Sequence, residues 1–82
     1  MDFNQKLTTD ARNGNLEGVK EAIEQGADIN YKFGLALCYA SKHGHIEIVK
    51  YLLDQKSFIR KELVSVVKNQ EVLKLLIEKL PW

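Results

Sequence analysis

Residues 44–53 read GHIEIVKYLL, and this stretch decides the fold because an earlier part of the chain repeats it. Residues 14–23, GNLEGVKEAI, align with it position by position, so that Gly14 falls on Gly44. In this alignment a glycine, an aliphatic residue, a glutamate, a valine and a lysine recur in the same order. Self-similarity at a fixed offset indicates a protein built from stacked repeats.

A third and weaker copy follows at residues 71–77, where EVLKLLI matches the EIVKYLL of residues 47–53. Within the second copy, Ile46, Val49 and Leu53 fall on one face of a helix, and the charged residues fall on the other. The sequence therefore predicts an all-α, helical-repeat solenoid of about three helix pairs. The units span roughly residues 3–30, 31–56 and 57–82.

Turn residues separate the predicted helices. Gly14 and Gly44 each follow a helical segment, where glycine ends a helix by adopting left-handed backbone. Residues 25–30, QGADIN, contain the glycine, aspartate and asparagine that favour a turn. We expect residues 31–34 to be an extended, exposed, hairpin-like segment.

Together the QGADIN, GNLEGVK and GHIEIVKYLL runs resemble the ankyrin repeat, a helix-pair repeat of about 33 residues. The detailed similarity covers about two thirds of the chain. The resemblance implies a protein-binding scaffold without a catalytic site of its own. It also implies that partners dock on the hairpin tips and on the exposed side of the first helix of each pair.

The chain departs from the ankyrin pattern in two respects. The Thr-Pro-Leu-His segment of the family is missing, and residues 35–38, LALC, stand in its place in the second unit. The resemblance thus implies that the usual Thr and His links between repeats are absent. After Leu53 no GADIN run follows, which predicts that the third unit has lost most of its hairpin and starts its first helix near Ser57, a plausible N-cap.

Composition limits the classes of partner and compartment. Lys plus Arg total 12 against 11 for Asp plus Glu, so nothing in the charge balance calls for nucleic acid or a membrane surface. Cys38 is the one cysteine and cannot form an internal disulfide, which indicates a reducing compartment. With no secretory or membrane-spanning pattern in the sequence, we expect the cytoplasm of a bacterium, or of the host cell if the gene is viral or phage-encoded.

Chemistry-bearing residues are few. Cys38 precedes His43 by five residues, which points the two side chains in different directions on one helix. No phosphate-binding loop and no metal-ligand spacing is present, so we predict no catalytic residue, no metal and no cofactor. Cys38 is interpreted as a small buried apolar residue.

Aromatic and basic residues cluster where the ankyrin resemblance places partner contacts. Aromatic residues and arginine often dominate interface energies. The predicted partner-binding residues, at the hairpin tip and along the first helices, are Tyr31, Lys32, Phe33, Arg12, Tyr39, Lys42 and His43. Their charge predicts a locally acidic partner protein. The alternative is that Phe33 packs beneath the hairpin under Tyr31 and that the others are ordinary surface.

A second candidate surface lies in the third unit. Leu63, Val66 and Val67 correspond by position to exposed residues of the second unit, so they are either buried by a rotated unit or form an apolar contact patch. With Trp82 they make the alternative partner-binding set, and they would allow a homodimer or a self-assembling structural protein. The favoured function is an inhibitor or regulator that occludes a partner. The compact, degenerate repeats resemble those of bacterial, phage and large-virus proteins, which suggests an anti-defence or host-interaction role.

Overall fold

The computed structural model describes residues 2–80, and in that range the chain forms six helices and no strand. The helices are α1 (Phe3–Asn13), α2 (Leu16–Glu24), α3 (Tyr31–Lys42), α4 (Ile46–Asp54), α5 (Leu63–Val66) and α6 (Gln70–Lys79). The first helices of the pairs pack in one layer, with α3 between α1 and α5, and α4 contacts α2 and α6 in the other. The prediction of an all-helical stack of three pairs is confirmed.

Short polar side chains set where three of the helices begin. The carboxylate of Asp2 accepts from the backbone N–H groups of Asn4 and Gln5, at 3.0 and 3.2 Å. Asn15 and Asn69 cap α2 and α6 in the same manner, each at 3.0 Å from the amide three residues later. Such caps satisfy backbone donors that have no partner inside the helix.

Left-handed glycines end the first helices of the first two pairs, as the sequence predicts. Gly14 has φ of 82° and Gly44 has φ of 71°. The chain then reverses, and the amides of Asn15 and His45 each donate to a carbonyl five residues back, both at 2.9 Å. The repeat seen in the sequence is thus reproduced in the backbone hydrogen bonds.

The hydrogen bonds that follow the second helices, α2 and α4, also recur 30 residues apart. Ala27 N donates to Ala22 O at 2.9 Å, and Ser57 N donates to Leu52 O at 3.0 Å. In both connections the residue before the donor has positive φ. The connection after α4 therefore begins with the same turn as QGADIN, although its sequence, QKSFIR, shares little with it.

This finding corrects the expectation that the third unit has lost its hairpin. Ser57 is 7% exposed and its amide belongs to the turn, so it does not cap a helix. Helix α5 begins only at Leu63 and has four residues. Because the connection is retained, the third unit has room only for a much-shortened first helix between Ser57 and α6.

Asparagine side chains bond to the backbone of the two connections that follow α2 and α4. The amide oxygen of Asn4 accepts from Asp28 N at 2.7 Å, and that of Asn30 accepts from Phe58 N at 2.6 Å. The two donors, Asp28 and Phe58, occupy equivalent positions in the two connections, 30 residues apart. Each connection is thus held by an asparagine side chain, even though the family's Thr-Pro-Leu-His segment is missing.

Histidine provides a further link between the first two units. His45 Nε2 lies 2.9 Å from the carbonyl oxygen of Arg12, to which it donates when protonated there. Its ring sits against Gly14, where a Cβ would come within 2.8 Å of the ring. At the next junction Asn69 occupies the corresponding place beside Gly44. Close packing of a polar ring or amide on a glycine therefore recurs at both junctions.

An apolar core runs through all three pairs and supplies most of the stability. Its largest fully buried aliphatic side chains are Leu7, Val19, Leu37, Ile48, Val49, Leu52, Val72 and Leu76. Among residues 2–80 no helix has the length and hydropathy that a membrane span requires.

We predict that Leu52→Asp unfolds the protein. Leu52 is fully buried, and an unpaired carboxylate there costs several kcal/mol, against a total stability of about 4–12 kcal/mol for a chain of this size. Glu47→Ala is the control because Glu47 is exposed. Thermal unfolding followed by circular dichroism checks both; a cooperative, wild-type transition for Leu52→Asp would contradict the core assignment.

Lys56→Gly should stabilise the protein by about 0.5–1 kcal/mol, since left-handed backbone is costly for a residue with a Cβ and not for glycine. Lys56 has φ of 64° at the place that Gly26 holds, with φ of 102°, in the first connection. Lys50→Gly, in the middle of α4, is the matched control and should destabilise by about 1 kcal/mol. Urea unfolding measures both, and the same sign for the two variants would refute the left-handed assignment.

Ser41→Ala should raise stability by about 1 kcal/mol, because its hydroxyl is buried and has no hydrogen-bond partner among residues 2–80. The corresponding residue of the first unit is already alanine, Ala11, and is fully buried. Ser65→Ala, at an exposed position, serves as the control in the same urea titration. A loss of stability in Ser41→Ala would show that the hydroxyl has a partner.

Candidate functional site

Four of the seven predicted partner-binding residues lie side by side. Arg12, Tyr31, Lys32 and Tyr39 line one depression of about 330 Å³ between the start of α3 and the side of α1. The Arg12 guanidinium lies 5.8 Å from the centre of the Tyr39 ring, and the Lys32 ammonium lies 5.5 Å from that of Tyr31. At these distances each cation attracts the face of its aromatic ring, so the rings and the charges lie in one patch.

Two more of the predicted partner-binding residues lie further along the chain, at the C-terminal end of α3. Lys42 and His43 are exposed at its C-terminal end. The His43 ring stacks on His45, with centroids 6.0 Å apart. Lys42 lines a separate hollow of about 250 Å³ together with Cys38 and Val66. The predicted set therefore extends along the side formed by the first helices rather than meeting at one point.

Residues 32–34 are not the extended segment that the sequence predicts. Lys32, Phe33 and Gly34 all have left-handed backbone, with φ of 51°, 58° and 82°. Left-handed backbone costs about 1–2 kcal/mol for each residue other than glycine. Only glycine fits at position 34, because a Cβ there would lie 2.5 Å from the carbonyl oxygen of Phe58. The segment is a left-handed turn tightly packed against the connection after α4.

Arg60 holds this turn in place. Its Nε donates to the Phe33 carbonyl at 2.9 Å, and its Nη2 donates to the Lys32 carbonyl. The turn leaves Phe33 75% exposed, so Phe33 does not pack beneath the hairpin. Sequence reasoning missed Arg60 because its counterpart in the repeat is Asn30, and no comparable arginine recurs.

The alternative apolar patch of the third unit is largely buried. Leu63 is 2% exposed and Val67 is 6% exposed, since α5 is short and turns both into the core. Val66 alone of the three is open, at 50% exposure. The prediction that Leu63 and Val67 belong to an exposed contact patch is therefore wrong. Trp82, the fourth residue of this alternative set, lies outside the described residues.

An apolar groove that the sequence did not predict lies beside the left-handed turn. Phe33, Phe58, Ile59 and Leu80 line it, and its volume is about 650 Å³. Phe58 is 52% exposed. The signal that could have revealed it is the QKSFIR segment, which places an aromatic residue at the position that Asp28 holds in the first connection.

A family model described as ankyrin repeats, in three copies, matches residues 7–80. The chain belongs to the ankyrin-repeat family. Comparisons with curated proteins and with solved structures give no significant match. Ankyrin repeats are general protein–protein interaction modules, so this ankyrin-repeat protein is assigned to protein binding.

The thiol of this ankyrin-repeat protein is in an unreactive setting. Burial raises the pKa of Cys38, and the positive charges of Arg60 and Lys42, which lower it, oppose the shift only in part. A raised pKa keeps the group as a thiol rather than the nucleophilic thiolate. Within residues 2–80 no three His, Cys, Asp or Glu side chains converge on a point where they could hold a metal ion.

Proposed function

We propose that this ankyrin-repeat protein binds another protein and occludes a working surface of it, as an inhibitor or regulator. The observation that carries the proposal is the shared depression lined by Arg12, Tyr31, Lys32 and Tyr39. Rigid aromatic rings flanked by cations combine apolar burial with orientation of the partner. Tyr39 stands on the regular part of α3, and Tyr31 directly precedes the left-handed turn that Arg60 holds. A backbone that is already fixed limits the entropy lost on binding.

The charge of this surface favours a locally acidic partner. Arg12 and Lys32 line the depression with one carboxylate, that of Asp2. Lys42 adds an exposed cation further along α3. A cationic docking face raises the rate of encounter with an acidic surface and disfavours basic ones.

The setting we propose is the cytoplasm, either of a bacterium or of a host cell reached by a viral or phage product. The free thiol of Cys38 is compatible with a reducing compartment. Because the compact repeats resemble those of bacterial, phage and large-virus proteins, we extend the proposal to an anti-defence or host-interaction regulator. The protein would act by steric occlusion and not by catalysis.

The test is co-purification of the chain from its source cell, followed by affinity measurement with the protein it retains. Tyr31→Ala and Tyr39→Ala should each weaken binding by about 1–3 kcal/mol if their rings are anchors. Lys42→Glu should slow association and make it less sensitive to salt. Surface plasmon resonance gives both quantities.

Glu24→Ala and Asp54→Ala are the controls, because both residues are exposed near the ends of the second helices. These two variants should retain wild-type affinity. Circular dichroism must show that every variant is folded. Unchanged affinity in Tyr31→Ala, Tyr39→Ala and Lys42→Glu together would reject this surface as the docking site.

A further inference from the structure

The apolar groove holds the largest exposed aromatic surface of the described residues. We refer to it as the phenylalanine groove, since Phe33 and Phe58 lie on its lining and are 75% and 52% exposed. Leu80 lines it as well. Water-exposed aromatic rings beside a concavity of about 650 Å³ are typical of a surface that is covered in a complex.

The backbone that presents Phe33 is strained and is held by specific contacts. Lys32 and Phe33 are left-handed although both carry a Cβ, and the Arg60 guanidinium bonds to both of their carbonyl groups. The fold thus uses a positioning residue to keep an exposed ring in place. Strain of this kind accumulates at ligand clamps and binding sites.

Positive charge surrounds the groove. Arg60, Lys61 and Lys79 line it against a single carboxylate, Glu62, so its lining carries a net +2 where the whole chain carries +1. None of these cations is in an ion pair within residues 2–80, where the salt bridges are Lys6–Asp10 and Lys50–Glu47. The Arg60 bonds go to neutral carbonyls, so these bonds do not neutralise its charge.

We propose that the phenylalanine groove binds a short acidic segment of the partner protein that carries an apolar or aromatic side chain. The apolar side chain inserts between Phe33 and Phe58, and the flanking carboxylates meet Lys61, Lys79 and Arg60. This inference rests on the proposed function, because it assigns the groove to the same protein partner.

Geometry connects the groove with the proposed docking surface. Arg60 and Glu62 line both the groove and the neighbouring hollow, which Lys42 and Val66 line as well. A single extended segment can therefore run from the phenylalanine groove past Arg60 toward Lys42. Val66, the one exposed member of the apolar patch predicted in the third unit, lies along this path.

The test titrates the isotope-labelled full chain with the peptide Asp-Glu-Leu-Phe-Glu-Asp, blocked at both ends, and follows backbone amide shifts by NMR. The largest shifts should fall on Phe33, on residues 58–61 and on Leu80. A peptide with Lys in place of each acidic residue, and one with Gly-Ser in place of Leu-Phe, should bind at least ~5-fold more weakly. Binding of the acidic peptide should weaken as salt is added.

Two pairs of variants separate groove contacts from general surface effects. Phe58→Ala and Lys61→Glu should each lower the affinity for the acidic peptide at least ~5-fold. Ile77→Ala removes another exposed apolar side chain and Lys50→Glu reverses another exposed lysine, and neither residue lines the groove. Both controls should bind within ~2-fold of wild type.

Several outcomes would overturn the proposal. It fails if no peptide shifts the groove amides, if the basic peptide binds as well, or if shifts map to Tyr39 and Lys42 alone, a result that would leave the proposed function standing. Two other occupants are also tested without peptide. If light scattering shows a dimer and Phe58→Ala dissociates it, the groove binds a second copy of the chain. If the chain is monomeric and Phe58→Ala changes the fluorescence emission of Trp82, the groove binds the chain's own tryptophan.

Discussion

Stacking of helix pairs through one repeated backbone connection is the constraint on which the rest of the structure depends. A single pair of short helices cannot bury its apolar face, so each pair needs its neighbour in a fixed register. Here the register is set by turn hydrogen bonds that recur with the period of the sequence repeat and by the side chains of Asn4, Asn30 and His45. These links hold the first helices in one layer, and that layer forms the candidate binding surface.

The sequence predicts the helices better than the connections. Helical periodicity and glycine placement were sufficient for the all-α stack and for the ends at Gly14 and Gly44, because both are local signals. The connection after α4 escaped prediction because Lys56 adopts left-handed backbone without being glycine. Its conformation depends on tertiary contacts with Asn30, which lies far from Phe58 in the sequence and leaves no local trace.

The candidate site was predictable only where the repeat pattern indicates which residues are exposed. The resemblance to ankyrin repeats predicts which side of each first helix is open. The structure places four of the predicted residues together on that side, namely Arg12, Tyr31, Lys32 and Tyr39. The burial of Leu63 and Val67 does not follow from their position in the repeat, since α5 is shortened to four residues and no longer matches α3. Arg60 and the groove beside it could not be predicted, because both depend on the connection after α4, and the local sequence does not show that this connection is retained.

Hydrogen exchange at the two equivalent turn amides tests the central claim most directly. Ser57 N and Ala27 N donate to the carbonyls of Leu52 and Ala22, in connections that share only a glutamine and an isoleucine. The account predicts strong and comparable protection of both amides, because bonded amides exchange only when the structure opens. Fast exchange at Ser57 beside a protected Ala27 would show that the repeated connection does not continue into the third unit, and would contradict the account.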